Sequence, residues 1–366
     1  MNLRTWFRFP FLPPLVLALA ACTRPAEERA RRDERVGQAE ASGTRVTVQS
    51  GLAVVRRLDE DELVLWGSAP SFDVEIAASE GRTLRLEVWN ALPDIAVTPS
   101  DAAATVEAEP PSDLPTRHSF RLELPPGSTT LHVAPPDAGD RVPLRFAVMS
   151  DVQEAIDEVG DIYARVNQEP GIRFLFGAGD LTSEGEDEQL EEFERRLREL
   201  SVPYFTTLGN NELGESPSRY QDWYGRGSFQ FDFHGITFTL LDSASATLDP
   251  IVYGWLDGWL ARARDAVHIV GMHIPPLDPI GVRNGAFASR SEAAKLLALL
   301  AGGRVDLTLY GHIHSFYTFD NAGIPAYISG GGGAIPERFD DMGRHFLVVD
   351  ADPDEGISGV RVVRVD

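Results

Sequence analysis

The stretch DLTLYGHIHS, Asp306–Ser315, runs from an apolar, β-prone segment into a glycine and then sets His312 and His314 two residues apart. In an extended segment that spacing puts both imidazoles on one side. The reading is a strand that carries metal-type ligands at its carboxyl end. Working outward, the same arrangement recurs at four other places. PLRFAVMS (Pro143–Ser150) leads into Asp151 and Gln153, and IRFLFGAG (Ile172–Gly179) leads into Asp180. PYFTTLG (Pro203–Gly209) leads into Asn210 and Asn211, and VHIVGM (Val267–Met272) leads into His273. These runs are apolar without strict alternation, the pattern of strands buried on both faces. Between them lie helical patterns, one over roughly 154–167. In another, EDEQLEEFERRLREL, Leu190, Phe193, Leu197 and Leu200 recur at helical spacing behind an acidic first turn. Alternating strands and helices predict an α/β fold, and in open α/β sheets the carboxyl edge is where ligands bind.

Composition bounds the rest. A chain of 366 residues that is 43% hydrophobic predicts more than one domain with a real core. The net charge of −23 excludes nucleic-acid binding by a basic face. An anionic small substrate then requires a local reversal of the field, which bound dications supply. Cys22 is the sole cysteine, so no internal disulfide forms. It follows Arg4, Arg8 and a short apolar run broken by Pro10, Pro13 and Pro14, which is the layout of a secretory signal and not of a spanning helix. Leu19–Cys22, LAAC, resembles the lipobox of bacterial lipoproteins. That resemblance implies cleavage before Cys22, lipidation of its thiol and a membrane anchor in the cell envelope. Thr23 in the next position implies outer-membrane sorting.

The expected organisation is a signal peptide at 1–21, a charged flexible tether at 22–43, a β-sandwich at 44–141 and an α/β domain at 142–366. The tether is mixed in charge and has no apolar stripe with which to dock. The β region alternates visibly, with Leu84, Leu86 and Val88 set against Arg85 and Glu87. It could serve as a spacer, bind a carbohydrate or partner, or pack on the next domain. His118 and His132 stand alone there and read as ordinary surface or core residues.

Each strand end by itself is common; the ordered set is not. Asp151-x-Gln153, Gly179-Asp180, Gly209-Asn210-Asn211-Glu212, His273 and Gly311-His312-x-His314 resemble the calcineurin-like metallophosphoesterase family, over roughly Val142 to the end. The resemblance implies a four-layer α/β/β/α sandwich with two divalent ions (Mn, Fe, Zn or Mg) between its sheets. It also implies hydrolysis of a phosphate mono- or diester by a hydroxide bridging the two. Asp180 would bridge the metals. Asp151, Gln153 and His314 would complete one position; Asn210, His273 and His312 would complete the other. Mixed nitrogen and oxygen donors suit such ions.

Two positions depart from the family. Gln153 stands where the family usually has histidine, which weakens the first position and shifts it toward hard ions such as Mn²⁺ or Mg²⁺. Asn211 replaces the histidine thought to touch the phosphate and assist the leaving group. It can donate a hydrogen bond but transfers no proton, and lost general-acid assistance costs about 10²–10⁴-fold. His234 and His345 are the candidates to stand in. Glu212 reads as a local cap, and Asp242 and Asp278 as structural or solvent-facing. The glycines of Ser329–Ala334 lack the Gly-Lys-Ser/Thr of a phosphate-cradling loop. The competing reading is a degenerate member that binds metal, phosphate or a partner without turnover.

Overall fold

The computed structural model describes residues 26–365, apart from 215, 217, 282–284 and 337–340. Cys22 and the signal segment lie outside these. The chain begins with helix α1 (26–33) and ten strands: β1 (Gln38–Ala41), β2 (Thr44–Val48), β3 (Ala53–Leu58), β4 (Glu62–Gly67), β5 (Phe72–Ala78), β6 (Arg82–Trp89), β7 (Ala96–Pro99), β8 (Thr105–Ala108), β9 (Arg117–Leu124) and β10 (Gly127–Ala134). They form two five-stranded sheets, β1-β2-β5-β10-β7 and β3-β4-β6-β9-β8. The inward residues of both meet in one core, with Val46, Val74, Ile76 and Leu131 against Leu65, Leu84, Leu86 and Val88. The predicted alternation in β6 is present: Leu84, Leu86 and Val88 are buried.

The remainder is a four-layer sandwich. One sheet has the order β13-β12-β11-β20-β21, from β11 (Leu144–Met149), β12 (Ile172–Ala178), β13 (Tyr204–Thr207), β20 (His345–Asp352) and β21 (Gly356–Arg364). The other has the order β14-β15-β16-β17-β19-β18, from β14 (Phe229–Phe233), β15 (Ile236–Leu241), β16 (Val267–Met272), β17 (Leu307–Tyr310), β18 (Phe316–Asn321) and β19 (Ile324–Ser329). Phenylalanines fill the space between the sheets: Phe146 stacks on Phe174 at 5.4 Å and Phe231 on Phe238 at 5.0 Å. Offset stacking and edge contacts are how such rings pack best. Helices α2 (Gly160–Gln168) and α3 (Asp187–Leu197) cover the outside of the first sheet through Ile162, Val166, Leu190 and Phe193. A short helix, α4 (Arg219–Trp223), follows β13. Helices α5 (Pro250–Arg262) and α6 (Arg290–Gly302) cover the second sheet through Leu256, Leu260, Leu296 and Leu300. Strands β11, β12 and β13 run parallel, as do β15, β16, β17 and β19, so each set ends on one edge. Among the described residues no helix is long and apolar enough to cross a membrane.

The two sandwiches are packed on one another by specific polar contacts. Asn90 lies against edge strand β13: its Oδ1 accepts the Tyr204 N–H (2.8 Å) and its Nδ2 donates to the Tyr204 carbonyl (2.9 Å). A side-chain amide thereby supplies the ladder partner that an edge strand lacks. Glu194 of α3 is buried and accepts from Arg56 (3.0 Å) and Arg117 (3.1 Å), two arginines of the β domain. Arg117 in turn lies 3.8 Å over the Trp89 ring.

The expected flexible tether is corrected. Residues 26–33 are helical and 38–41 form strand β1. The missing apolar stripe is replaced by buried charge. Arg29 is fully buried and grips Asp242 through two bonds, Nε to Oδ2 at 2.6 Å and Nη2 to Oδ1 at 3.1 Å. Asp33 accepts from the amides of Gly227 and Ser228 (2.9 Å each) and from Gln221 (3.1 Å). Burial pushes Asp33 up to about 6, against the pull of Arg226 and those amide donors. Removing one partner of a buried ion pair leaves the other uncompensated, which costs about 3–5 kcal/mol. Arg29→Ala is therefore expected to lower the midpoint of urea denaturation clearly. A midpoint equal to the parent's would return 26–33 to the status of a tether.

Candidate metal centre

Each candidate ligand sits within four residues of a strand end, on the shared carboxyl edge of its sheet. Asp151 follows β11, Asp180 follows β12, Asn210 follows β13, His273 follows β16, and His312 and His314 follow β17. The backbone turns sharply there. Asp151 (φ 62°), Gln153 (φ 48°), Asp180 (φ 52°) and His312 (φ 71°) all adopt left-handed conformations. Such residues cost of order 1–3 kcal/mol each and persist only where the surroundings fix them. Close packing is part of that fixing: a Cβ on Gly209 would lie 2.0 Å from Asp180 Oδ1.

One half of the site is a compact donor set. The ligating atoms of Asp180, His273 and His312 lie within 4.8 Å of one another. His273 Nε2 is 3.2 Å from Asp180 Oδ2 and 3.1 Å from Asn210 Oδ1. His273 Nδ1 donates to the Ala178 carbonyl (2.8 Å), which fixes the ring with Nε2 toward the carboxylate. Burial pulls this imidazole down, but the Asp180 and Asp151 carboxylates outweigh it and hold the ring up to about 9. The donor types and their spacing suit a divalent ion.

The other half is arranged differently. His314 Nε2 stands 3.5 Å from Asp151 Oδ1, and its Nδ1 donates to the Ile335 carbonyl (2.8 Å). The Gln153 amide enters between these groups. Its Nε2 lies 2.7 Å from Asp180 Oδ2 and 3.2 Å from His314 Nε2. The face turned to the centre is thus an N–H donor; ligation through Oε1 takes a half-turn of the amide. Asp151 is buried, accepts the His312 N–H at 3.0 and 3.2 Å and is hydrogen-bonded by Ser150 Oγ. Burial pushes its carboxyl up, but the His314 hydrogen bond and the nearby imidazoles hold it below the ordinary value. The donors still suit a hard divalent ion, with one ligand weaker than imidazole.

Asn211 opens a short turn beside this cluster. Its N–H donates to Asp180 Oδ1 (2.9 Å) and its Oδ1 accepts from Asn210 (3.0 Å). Of the two stand-in candidates, His234 is remote from the centre. His234 lies between β14 and β15, at the amino edge of the second sheet, 3.2 Å from Asp137. His345 is buried against the glycine run at Gly331, and its Nδ1 donates to the Gly343 carbonyl (2.8 Å).

Glu212 does more than cap locally. Fully buried, its carboxylate accepts from the amides of Gly209 (2.7 Å), Asp180 (3.0 Å), Leu181 (2.8 Å) and Thr182 (3.0 Å), and from Thr182 Oγ1 (3.0 Å). Burial and the Asp180 charge push it above the usual carboxylate range. The acid directly after the Gly-Asn-Asn turn was the available sequence signal, but all its partners except Gly209 lie beyond the end of another strand. Asp242, similarly, is the buried partner of Arg29. The carbonyls of Ala178 and Ile335 that orient the two histidines left no sequence signal at all.

Comparison with known proteins agrees with this geometry. Residues 144–316 match the calcineurin-like phosphoesterase family model. A 3′,5′-cyclic-nucleotide phosphodiesterase of Nostoc sp. is 26% identical over 155 residues, which are 40% of this chain and 57% of that protein. The chain thus spans a little over half the length of this curated relative. Among solved structures, PhoD aligns over 81% of this chain and 90% of its own, at 11% identity and a TM-score of 0.49. A dimetal phosphatase from Danio rerio aligns over 62% and 100%, at 16% identity and a TM-score of 0.45. Residues 144–316 thus carry a calcineurin-like phosphoesterase domain, in an α/β metallophosphoesterase fold with an added N-terminal β domain.

Glu212→Gln would set an amide donor against backbone donors that now share a carboxylate. Loss of such an orienting partner typically costs 10–100-fold in metal affinity. Calorimetric titration with Mn²⁺ is expected to show a loss in that range with the fold intact by circular dichroism; parent-like affinity would mean that Glu212 only fills space.

Proposed function

We propose that the α/β domain hydrolyses phosphate esters at a centre of two divalent ions, in a protein anchored to the cell envelope by lipid on Cys22. The observation that carries the hydrolytic part is the convergence of Asp151, Gln153, Asp180, Asn210, His273, His312 and His314 from five strand ends on one edge. Asp180, Asn210, His273 and His312 would hold one ion; Asp151, Gln153, Asp180 and His314 would hold the other, more weakly. Bound there, the ions acidify a water and neutralise phosphate oxygens. The chain's own residues do the rest. Asp180 faces both positions, with Oδ1 steadied by the Asn211 amide. His273 and His314 are locked by their carbonyl partners, so their Nε2 atoms keep their aim. Asn211 orients a phosphate oxygen by hydrogen bonding and leaves the departing group to go unprotonated. Monoesters and diesters both fit this description.

The competing reading, a fold that binds metal or phosphate without turnover, draws support from the Gln153 amide facing Asp180. Asp180→Asn separates the two. It is expected to abolish metal-dependent hydrolysis of aryl phosphates, and the parent's rate is expected to fall steeply as leaving-group pKa rises. No hydrolysis by the parent with any of Mn²⁺, Fe²⁺, Zn²⁺ or Mg²⁺ would favour the binding-only reading, and a flat leaving-group dependence would put a general acid back in the site.

The anchor rests on residue order alone: Arg4 and Arg8, the apolar run, then Leu19-Ala-Ala-Cys22. On this reading the protein faces the periplasm or the cell surface from the outer membrane. Cys22→Ala is expected to move the protein from the membrane to the soluble fraction of a bacterial host; retention in the membrane would remove lipidation from the account.

A further inference from the structure

Two of the ligand-bearing tips share a brace that belongs to neither sheet. Asn210 follows β13 and His273 follows β16, and His273 Nε2 lies 3.1 Å from Asn210 Oδ1. The loop 225–228 is wedged between the ends of β13 and β15. Thr207 Oγ1, on the last residue of β13, donates to the Gly227 carbonyl (2.8 Å). The Asp242 N–H, just beyond β15, donates to Ser228 Oγ (2.9 Å). The fit is close on both sides: a Cβ on Gly227 would lie 2.6 Å from Leu208 Cδ2 and 3.2 Å from Asp242 Cβ. Leu208 stands just before Gly209 and Asn210. Asp242 is followed by Ser243, whose buried hydroxyl accepts the N–H of Ile274 (2.8 Å), the residue after His273.

Helix α1 holds this wedge with two buried charges of opposite sign. Arg29 and Asp33 are four residues apart, so they share one face of the helix. Asp33 turns one carboxylate oxygen to the Gly227 N–H and the other to the Ser228 N–H (2.9 Å each). Arg29 grips Asp242, and its Nη2 also donates to Ser245 Oγ (3.0 Å). A buried charge that loses its partner stays uncompensated, so these groups hold as a unit. The other position leans on different supports. The carbonyls of Ser150 and Asp151 accept the amides of Gly332 (2.8 Å) and Ala334 (2.9 Å), and His314 is held by the Ile335 carbonyl.

We infer that Arg29 and Asp33 are positioning residues for the ion at Asn210 and His273, so that α1 sets the affinity of that position and not of its neighbour. The inference rests on the two-ion reading of the centre. Arg29 acts through Asp242 and Ser243 on the backbone at His273. Asp33 acts through Gly227 and Thr207 on the approach to Asn210. A ligand on a loosened strand tip meets its ion at the wrong distance, and the loss falls on metal binding.

The test uses the full chain, stripped of metal and titrated with Mn²⁺ by calorimetry. Asp33→Asn sets an amide donor against one of the two backbone donors. Ser243→Ala removes the acceptor of the Ile274 N–H without touching α1. Arg29→Met removes the charge that Arg29→Lys keeps. Leu86→Ala, in the core of the β domain, is the control that lowers stability away from the centre. The parent is expected to bind in two steps. Asp33→Asn, Ser243→Ala and Arg29→Met are expected to weaken the tighter step by about tenfold and to leave the weaker one as it is. Arg29→Lys is expected to fall between the parent and Arg29→Met. Hydrogen exchange of the metal-free proteins gives a readout apart from binding and turnover: the Ile274 amide is expected to exchange faster in these variants, and the amides of β11 as in the parent. Equal weakening of both steps would overturn the inference, as would the same loss in Leu86→Ala, since α1 would then act through overall stability. Parent-like binding by the variants would overturn it too. A single step in the parent, weakened by the variants, would support the brace while removing the second ion; a single step left unchanged would overturn it. A parent that binds no Mn²⁺ would remove the two-ion reading, and exchange at Ile274 would then decide: faster in the variants supports the brace, parent-like overturns it.

Discussion

The constraint on which the centre depends is a buried carboxylate that is not itself a ligand. Glu212 is sealed from solvent, and a charge in that position is tolerable only because its oxygens face donors. Those donors come from two strand ends: Gly209 after β13, and Asp180, Leu181 and Thr182 after β12. The two tips are therefore set relative to each other by one side chain, and Asp180 and Asn210 inherit their positions from it. Asp151 performs the same service between the sheets. It follows β11 in the first sheet and accepts the amide of His312, beyond β17 in the second. His273 adds a third stitch, from the second sheet to the Ala178 carbonyl at the end of β12 in the first. The strained backbones of Asp151, Gln153, Asp180 and His312 are sustained by this web, which is why the site cannot be separated from the sandwich that carries it.

The same logic extends to the amino-terminal segment. Asp242 follows β15 and precedes Ser243, whose hydroxyl accepts the amide of Ile274, the residue after His273. Arg29 holds Asp242 from behind. Helix α1 is thus part of the support of the second metal position, only two residue contacts removed from a ligand.

What the sequence made legible and what it hid divide along a physical line. Strand tips were readable because an apolar run that ends in a ligand-type residue is a local signal, and five such signals in a fixed order reinforce one another. The facing alternation of Leu84, Leu86 and Val88 was readable for the same reason. The role of residues 26–43 was hidden because periodicity registers apolar burial only. Helix α1 buries Ala26 and Ala30, which carry little apolar surface, together with Arg29 and Asp33, which pattern reading assigns to solvent. Burying charge depends on partners about two hundred positions away, and no local pattern carries that. The attitude of the Gln153 amide and the carbonyls behind the histidines were hidden likewise, since they are properties of packing and not of residue type.

The two departures from the family pattern have a common direction. Gln153 and Asn211 each put a carboxamide where the family has an imidazole. A carboxamide donates and accepts hydrogen bonds but does not titrate. The imidazoles that remain at the centre with a known second partner, His273 and His314, are those whose Nδ1 is tied to a backbone carbonyl, which suits a ligand more than a proton carrier. On the proposed reading, the centre would neutralise charge and hold phosphate without delivering a proton to the departing group. Such a site would work fastest where the departing group is already a stable anion.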